Sequence, residues 1–91
     1  MKINLSITKI NSMANEPDKI NNKICLKIKM ERIKRGWSQE QLGEYSDISK
    51  TSIGAIERGQ STPSTLTLAK IATAFNMTVS ELTDISKVDL S

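Results

Sequence analysis

Histidine is absent from this chain of 91 residues. Its absence removes the commonest general base and the commonest metal ligand. The single cysteine, Cys25, excludes an intramolecular disulfide framework and a cysteine-built zinc site. It also suits a reducing compartment. Aromatic residues are limited to Trp37, Tyr45 and Phe75. The longest unbroken apolar run is Ile24-Cys25-Leu26, too short to span a membrane. The N-terminus has a charge at Lys2 but no apolar core of a leader, so no signal peptide is expected. A chain of this length builds one domain with one modest core, burying about two-thirds of its unfolded surface. That excludes a deep active site in a large scaffold. With no phosphate-cradling glycine loop and no spaced metal ligands, no enzyme, cofactor or metal is expected. Neighbouring Ser-Lys pairs such as Ser49-Lys50 are poorly placed to activate a nucleophile.

What is present is an uneven distribution of charge. The net charge is +3, a mild pointer to a polyanionic partner. Seven basic residues lie between Lys19 and Arg35 (Lys19, Lys23, Lys27, Lys29, Arg32, Lys34, Arg35), against one acid, Glu31. From Thr62 to Ser91 there are two bases and three acids. Taken alone, the basic stretch is equally well read as a solvated helix face.

The first residues differ from the rest. Ile3, Leu5 and Ile7 alternate with polar residues, the period-two pattern of a strand. Residues 1–18 are therefore expected to form an N-terminal arm: a short strand, paired in a dimer or docked on the body, or a disordered segment. Asn11 to Asp18, with Pro17, reads as a linker. From Lys19 the period becomes helical. Ile20, Ile24, Ile28 and Arg32 step by four and predict a helix over 19–35 that ends at Gly36. Met30 and Met77 read as filler in or near the core, and Cys25 as a small buried apolar residue.

Helix starts then recur. Ser38 with Gln41 forms a capping box, with Trp37 and Leu42 as its hydrophobic staple. Ser49 caps a second start, flanked by Ile48 and Ile53. Ser64 caps a third, and Thr78 with Glu81 makes a second box. Gly59 and Asn76 supply stops. The expected helices are 19–35, 38–45, 49–57, 64–75 and 78–84, a compact all-α domain over 19–84 with a tail at 85–91. The second helix ends near Tyr45-Ser46, so that only Asp47-Ile48 separate it from the cap of the third. So short a link forces a steep crossing, the helix-turn-helix geometry over 38–57, whose second helix can enter a major groove. Gly43 inside the first of these helices costs about 1 kcal/mol relative to alanine, which a close approach would explain.

Three stretches carry a family resemblance: Arg32-Ile33-Lys34-Arg35-Gly36-Trp37-Ser38-Gln39-Glu40-Gln41-Leu42-Gly43, then Ser49 through Gly59, then Pro63 through Ala72. In these, residues 20–84 resemble the Cro/C1-type (XRE) helix-turn-helix regulators of bacteria and phages, whose fold is the five-helix lambda-repressor-like domain. Gly43 departs from the family, which usually has alanine there.

The resemblance implies roles. Base readout falls to Lys50, Thr51, Gly54 and Ala55. Lysine can donate to guanine, and the threonine and alanine methyls can meet thymine. Phosphate contacts fall to Ser38, Gln39, Ser52, Arg58 and Gln60, with Gln39 at a helix N-terminus. Arg32 and Glu57 match a partly buried ion pair of lambdoid-phage repressors. The spacing agrees, because Arg32 ends an apolar stripe where a charge needs a partner. Trp37 reads as a structural staple.

The implied function is a sequence-specific, double-stranded DNA-binding transcriptional regulator, a repressor among the options. It would act as a cytoplasmic homodimer on a near-palindrome, pairing through Phe75 to Asp84 with a contribution from the N-terminal segment. The alternative is a protein-interaction module or antitoxin that uses the helix-turn-helix as scaffold; the alternating N-terminal segment favours it.

Overall fold

The computed structural model describes the backbone of residues 2–88 and the side chains of residues 17–88. Five helices follow in order: α1 (Lys2–Lys34), α2 (Gln39–Ser46), α3 (Lys50–Glu57), α4 (Thr65–Ala74) and α5 (Val79–Leu82). The strand expected around Ile3, Leu5 and Ile7 is not formed, because that backbone is the start of α1. A lone strand in an all-helical chain leaves its ladder groups without partners, whereas a helix closes its hydrogen bonds within itself. The expected linker is likewise helical, and Pro17 lies inside α1. There it withholds the hydrogen bond that the carbonyl of Met13 would otherwise receive. At about 1.5 Å per residue, the 33 residues of α1 account for the longest dimension of the molecule, 53 Å.

Every expected helix start after α1 is a cap. Ser38, Ser49, Ser64 and Thr78 each have extended backbone, and each side chain accepts the N–H three residues on. At Ser38 and Thr78 the box closes, with Gln41 and Glu81 accepting the cap residue's own N–H. The hydrogen bond from the Thr78 N–H is the chief reason that the Glu81 carboxyl sits below its ordinary range. Stops also follow the residue chemistry. Gly36, Gly59 and Asn76 adopt positive φ after α1, α3 and α4, and Asp47 does so after α2. At the far end, Lys27 of α1 donates to the carbonyls of Glu81 and Asp84, capping α5 from outside.

The core takes one or more side chains from every helix. Cys25, Ile28, Leu42, Ile53, Ile56, Ile71, Ala72, Phe75 and Leu82 are all buried. Burial pushes the Cys25 thiol above its ordinary pKa, which suits an inert packing role. Two expectations fail on the outer faces. Ile20 opens the stripe but is 48% exposed, and Met30 is 51% exposed. Stepping 100° per residue, Met30 lies 200° from Ile28 and so on the opposite side of α1. Met77 packs against the core as expected.

The α2–α3 corner explains Gly43. The Ile48 N–H donates to the Gly43 carbonyl at 2.8 Å, drawing the turn over the glycine. A Cβ there would lie 2.5 Å from the Ile48 carbonyl oxygen and 3.4 Å from the Lys50 nitrogen. The close approach is therefore made by the backbone of the turn, not by a helix packed alongside. Two effects oppose each other in Gly43→Ala. Alanine gains about 1 kcal/mol of helix propensity, and forcing a methyl against fixed backbone costs about 1–3 kcal/mol. Because the obstacle is backbone, the clash wins. Gly43→Ala is expected to lower the urea midpoint, although alanine is the family's usual residue.

Candidate nucleic-acid interface

The interface is assembled from α3 and the start of α2. Ser49 Oγ accepts the Ser52 N–H at 3.1 Å and donates to Ser52 Oγ at 2.9 Å. Ile53 and Ile56 turn inward and are buried. That anchoring leaves Lys50, Thr51 and Ser52 exposed on the leading turn of α3, with Ala55 half-buried. Gly54 is on the same groove-facing side but is covered, and so buried. Its cover is the Arg58 side chain, whose Nη1 is 3.1 Å from the position a Gly54 Cβ would take.

Behind α3 lies a three-helix brace. Arg32 of α1 donates from Nε to Glu57 Oε2 at 2.6 Å and from Nη2 to Glu57 Oε1 at 2.9 Å. Its Nη1 donates to the Trp37 carbonyl at 2.6 Å. The Gln39 amide of α2 donates to the same carboxylate at 3.2 Å. The Glu57 side chain is 2% exposed and that of Arg32 12%. The hydrogen bond from Arg32 to Glu57 is the main reason that the guanidinium pKa is raised. One carboxylate thus ties together the helix that precedes the motif, the first residue of α2 and the last residue of α3.

Gln39, Lys50, Thr51, Gly54 and Arg58 line one open groove of about 370 Å³. Three residues with expected readout roles therefore share a groove with two expected phosphate ligands. Ser38 and Gln60 are exposed at the edges. Ser38 Oγ is engaged as a cap, accepting the Gln41 N–H at 3.0 Å, and Gln60 Oε1 accepts from Arg58 Nε at 2.9 Å.

One supporting arrangement was not anticipated. Trp37 stacks on Phe75 with ring centroids 5.7 Å apart and meets Tyr45 edge-on at 4.7 Å. The Arg35 guanidinium covers Phe75 at 4.6 Å, held there by Glu31 Oε1 at 2.7 Å and the Phe75 carbonyl at 2.8 Å. All three aromatics of the chain thus form one cluster. The sequence signal for it was only that three aromatics in one small domain have few places to go.

The family profile described as Helix-turn-helix matches residues 28–82. This chain belongs to the XRE-type helix-turn-helix family of DNA-binding transcriptional regulators. It is similar to the HTH-type transcriptional regulator SutR of Escherichia coli, 46% identical over 50 residues that span 55% of this chain and 28% of that one. It is similar to the uncharacterized HTH-type transcriptional regulator YgzD of Bacillus subtilis, 39% identical over 56 residues, 62% of this chain and 85% of that one. The competence pilus inhibition repressor of Acinetobacter baylyi is 39% identical over 51 residues, 56% of this chain and 46% of that one. In structure, the chain resembles the restriction-modification controller protein C.AhdI of Aeromonas hydrophila, with TM-score 0.65 and 31% identity over 70% of this chain and 96% of that one. The helix-turn-helix match begins in the second half of α1, leaving the first part outside it. Helix-turn-helix families of this kind are normally non-enzymatic. Among the described residues, no helix is long and apolar enough to cross a membrane.

Proposed function

We propose that this chain is a cytoplasmic, homodimeric reader of double-stranded DNA whose recognition helix is α3. The observation that carries the reading is the leading turn of α3. Lys50 and Thr51 stand exposed there, while the Arg32–Glu57–Gln39 network holds the helix against the body. Recognition of this kind needs a rigid platform as well as exposed donors. Lys50 supplies the polar readout, the methyls of Thr51 and Ala55 the apolar one, and Gly54 the floor. Ser38, Gln39 and Ser52 face the phosphates at the start of the two helices. The DNA-binding unit comprises residues 19–84, with 1–18 as an extension and 85–91 as a tail.

One recognition helix covers one half-site, so two copies on a near-palindrome set about 34–36 Å apart complete an operator. The segment Phe75 to Asp84 contributes to pairing through its outer residues. Phe75 and Leu82 are already consumed by the protomer's own core. Asn76, Thr78, Ser80 and Glu81 are exposed, and Met77 and Val79 half-buried. The feature that favoured the interaction-module alternative was an alternating N-terminal segment read as a strand, and that backbone is helical.

Selection from a random DNA pool at two salt concentrations tests the reading. The expected result is salt-sensitive binding that enriches a near-palindrome. In the enriched site, Lys50→Ala is expected to cost about 1–3 kcal/mol at one base position. Weak binding with no enriched sequence would overturn the proposal.

A further inference from the structure

Resting on the DNA-reading function proposed above, we infer that Arg58 reads a base edge in the major groove rather than a phosphate, and that Gly54 and Gln60 position it. Arg58 is the C-cap residue that follows α3. Taken from its place in the chain, its charge belongs at the far end of the recognition helix, away from the leading turn. The side chain reverses this. Helical side chains lean toward the N-terminus and cover the turn before their own Cα. Arg58 follows that course: its Nη1 and Cζ lie 3.1 Å and 3.8 Å from where a Gly54 Cβ would stand. The guanidinium is thereby carried about one helical turn, roughly 5 Å, back toward Lys50 and Thr51, and it lines the same groove as both.

Two neighbours hold it there. Gly54 has no side chain to obstruct the lane. Gln60 Oε1 accepts the Nε–H at 2.9 Å, fixing the inner edge of the guanidinium. Among the described residues the terminal Nη groups have no hydrogen-bond acceptor, so their donors are left for a ligand. A planar fork with its inner edge fixed and its outer donors unused matches guanine O6 and N7, the commonest specific contact in a major groove. The Lys50 ammonium is a compact point donor, whereas the Arg58 fork is bidentate. Together they give α3 two polar readers, and the stronger one is not on the leading turn.

The test uses the full chain and the operator enriched by selection, with every single-base variant of one half-site and a titration of salt. Arg58→Lys separates the two roles, because lysine still attracts a phosphate but cannot form the fork. The expected result is loss of a guanine preference at one position by roughly tenfold, with affinity for unrelated DNA and the salt dependence unchanged. Gly54→Ala and Gln60→Ala are expected to weaken the preference at that same position, by displacing the guanidinium and by releasing it. Circular dichroism establishes that these variants fold. A phosphate role gives another pattern: Arg58→Lys is silent, and Arg58→Ala weakens all sequences equally while lowering the salt slope by about one. That pattern, or base preferences unchanged in Arg58→Lys, would overturn the assignment while leaving DNA reading intact. A wild-type chain that enriches no sequence overturns both.

Discussion

Glu57→Ala is expected to destabilise the fold by about 3–5 kcal/mol, measured as the shift in a urea-unfolding curve. The carboxylate it removes satisfies two Arg32 donors and the Gln39 amide. With the Arg32 side chain only 12% exposed, water cannot fully replace what is lost. The cost is mainly that of a stranded charge, not of a lost attraction. A double change, Arg32→Met with Glu57→Leu, is therefore expected to recover most of the stability, since apolar side chains of similar volume often substitute for a buried pair. If the single and double variants are equally unstable, the pair's geometry rather than the stranded charge is what matters. The same substitution frees Gln39 and the end of α3. DNA affinity should then fall in the double variant even where stability is restored.

Phe75→Ala is expected to cost about 3–5 kcal/mol. Phe75 is 2% exposed, stacked on Trp37 and covered by Arg35. Deleting the ring leaves a cavity under the guanidinium and removes one wall of the tryptophan site. Trp37 is the chain's single tryptophan, so its emission reports the change directly and should shift to the red. Tyr45→Ala offers the contrast. Tyr45 lies against the same indole but is 52% exposed, and its loss is expected to cost about 1 kcal/mol. Equal losses at the two sites would show that the cluster is not part of the core.

The features legible in the sequence were those set by residues close together in the chain. A cap and its acceptor lie three residues apart, so Ser38, Ser49, Ser64 and Thr78 announced the starts of α2 to α5. Asn76 and Gly59 announced stops for the same reason. The helical stripe of α1 was legible from Ile24 onward. Period-two alternation at Ile3, Leu5 and Ile7 misled, because three alternating residues carry no information about whether a partner strand exists. Met30 misled because an apolar residue type was read without its angle around the helix. Gly43 was recognisable as a site of close approach, but the identity of the approaching group, the Ile48 carbonyl, was not.

The order of helices, the tight corner between α2 and α3, and the family itself follow from the sequence alone, since each rests on patterns a few residues long. The tertiary structure alone decided which way Arg58 turns, why Gly54 is buried, and that Trp37, Tyr45 and Phe75 gather beside Arg35. The physical reason is the same in each case. A long side chain's direction is set by competition among the surfaces around it, and those surfaces come from segments far apart in the chain. Arg35 reaches Phe75 forty residues away, and only the folded backbone brings them into contact.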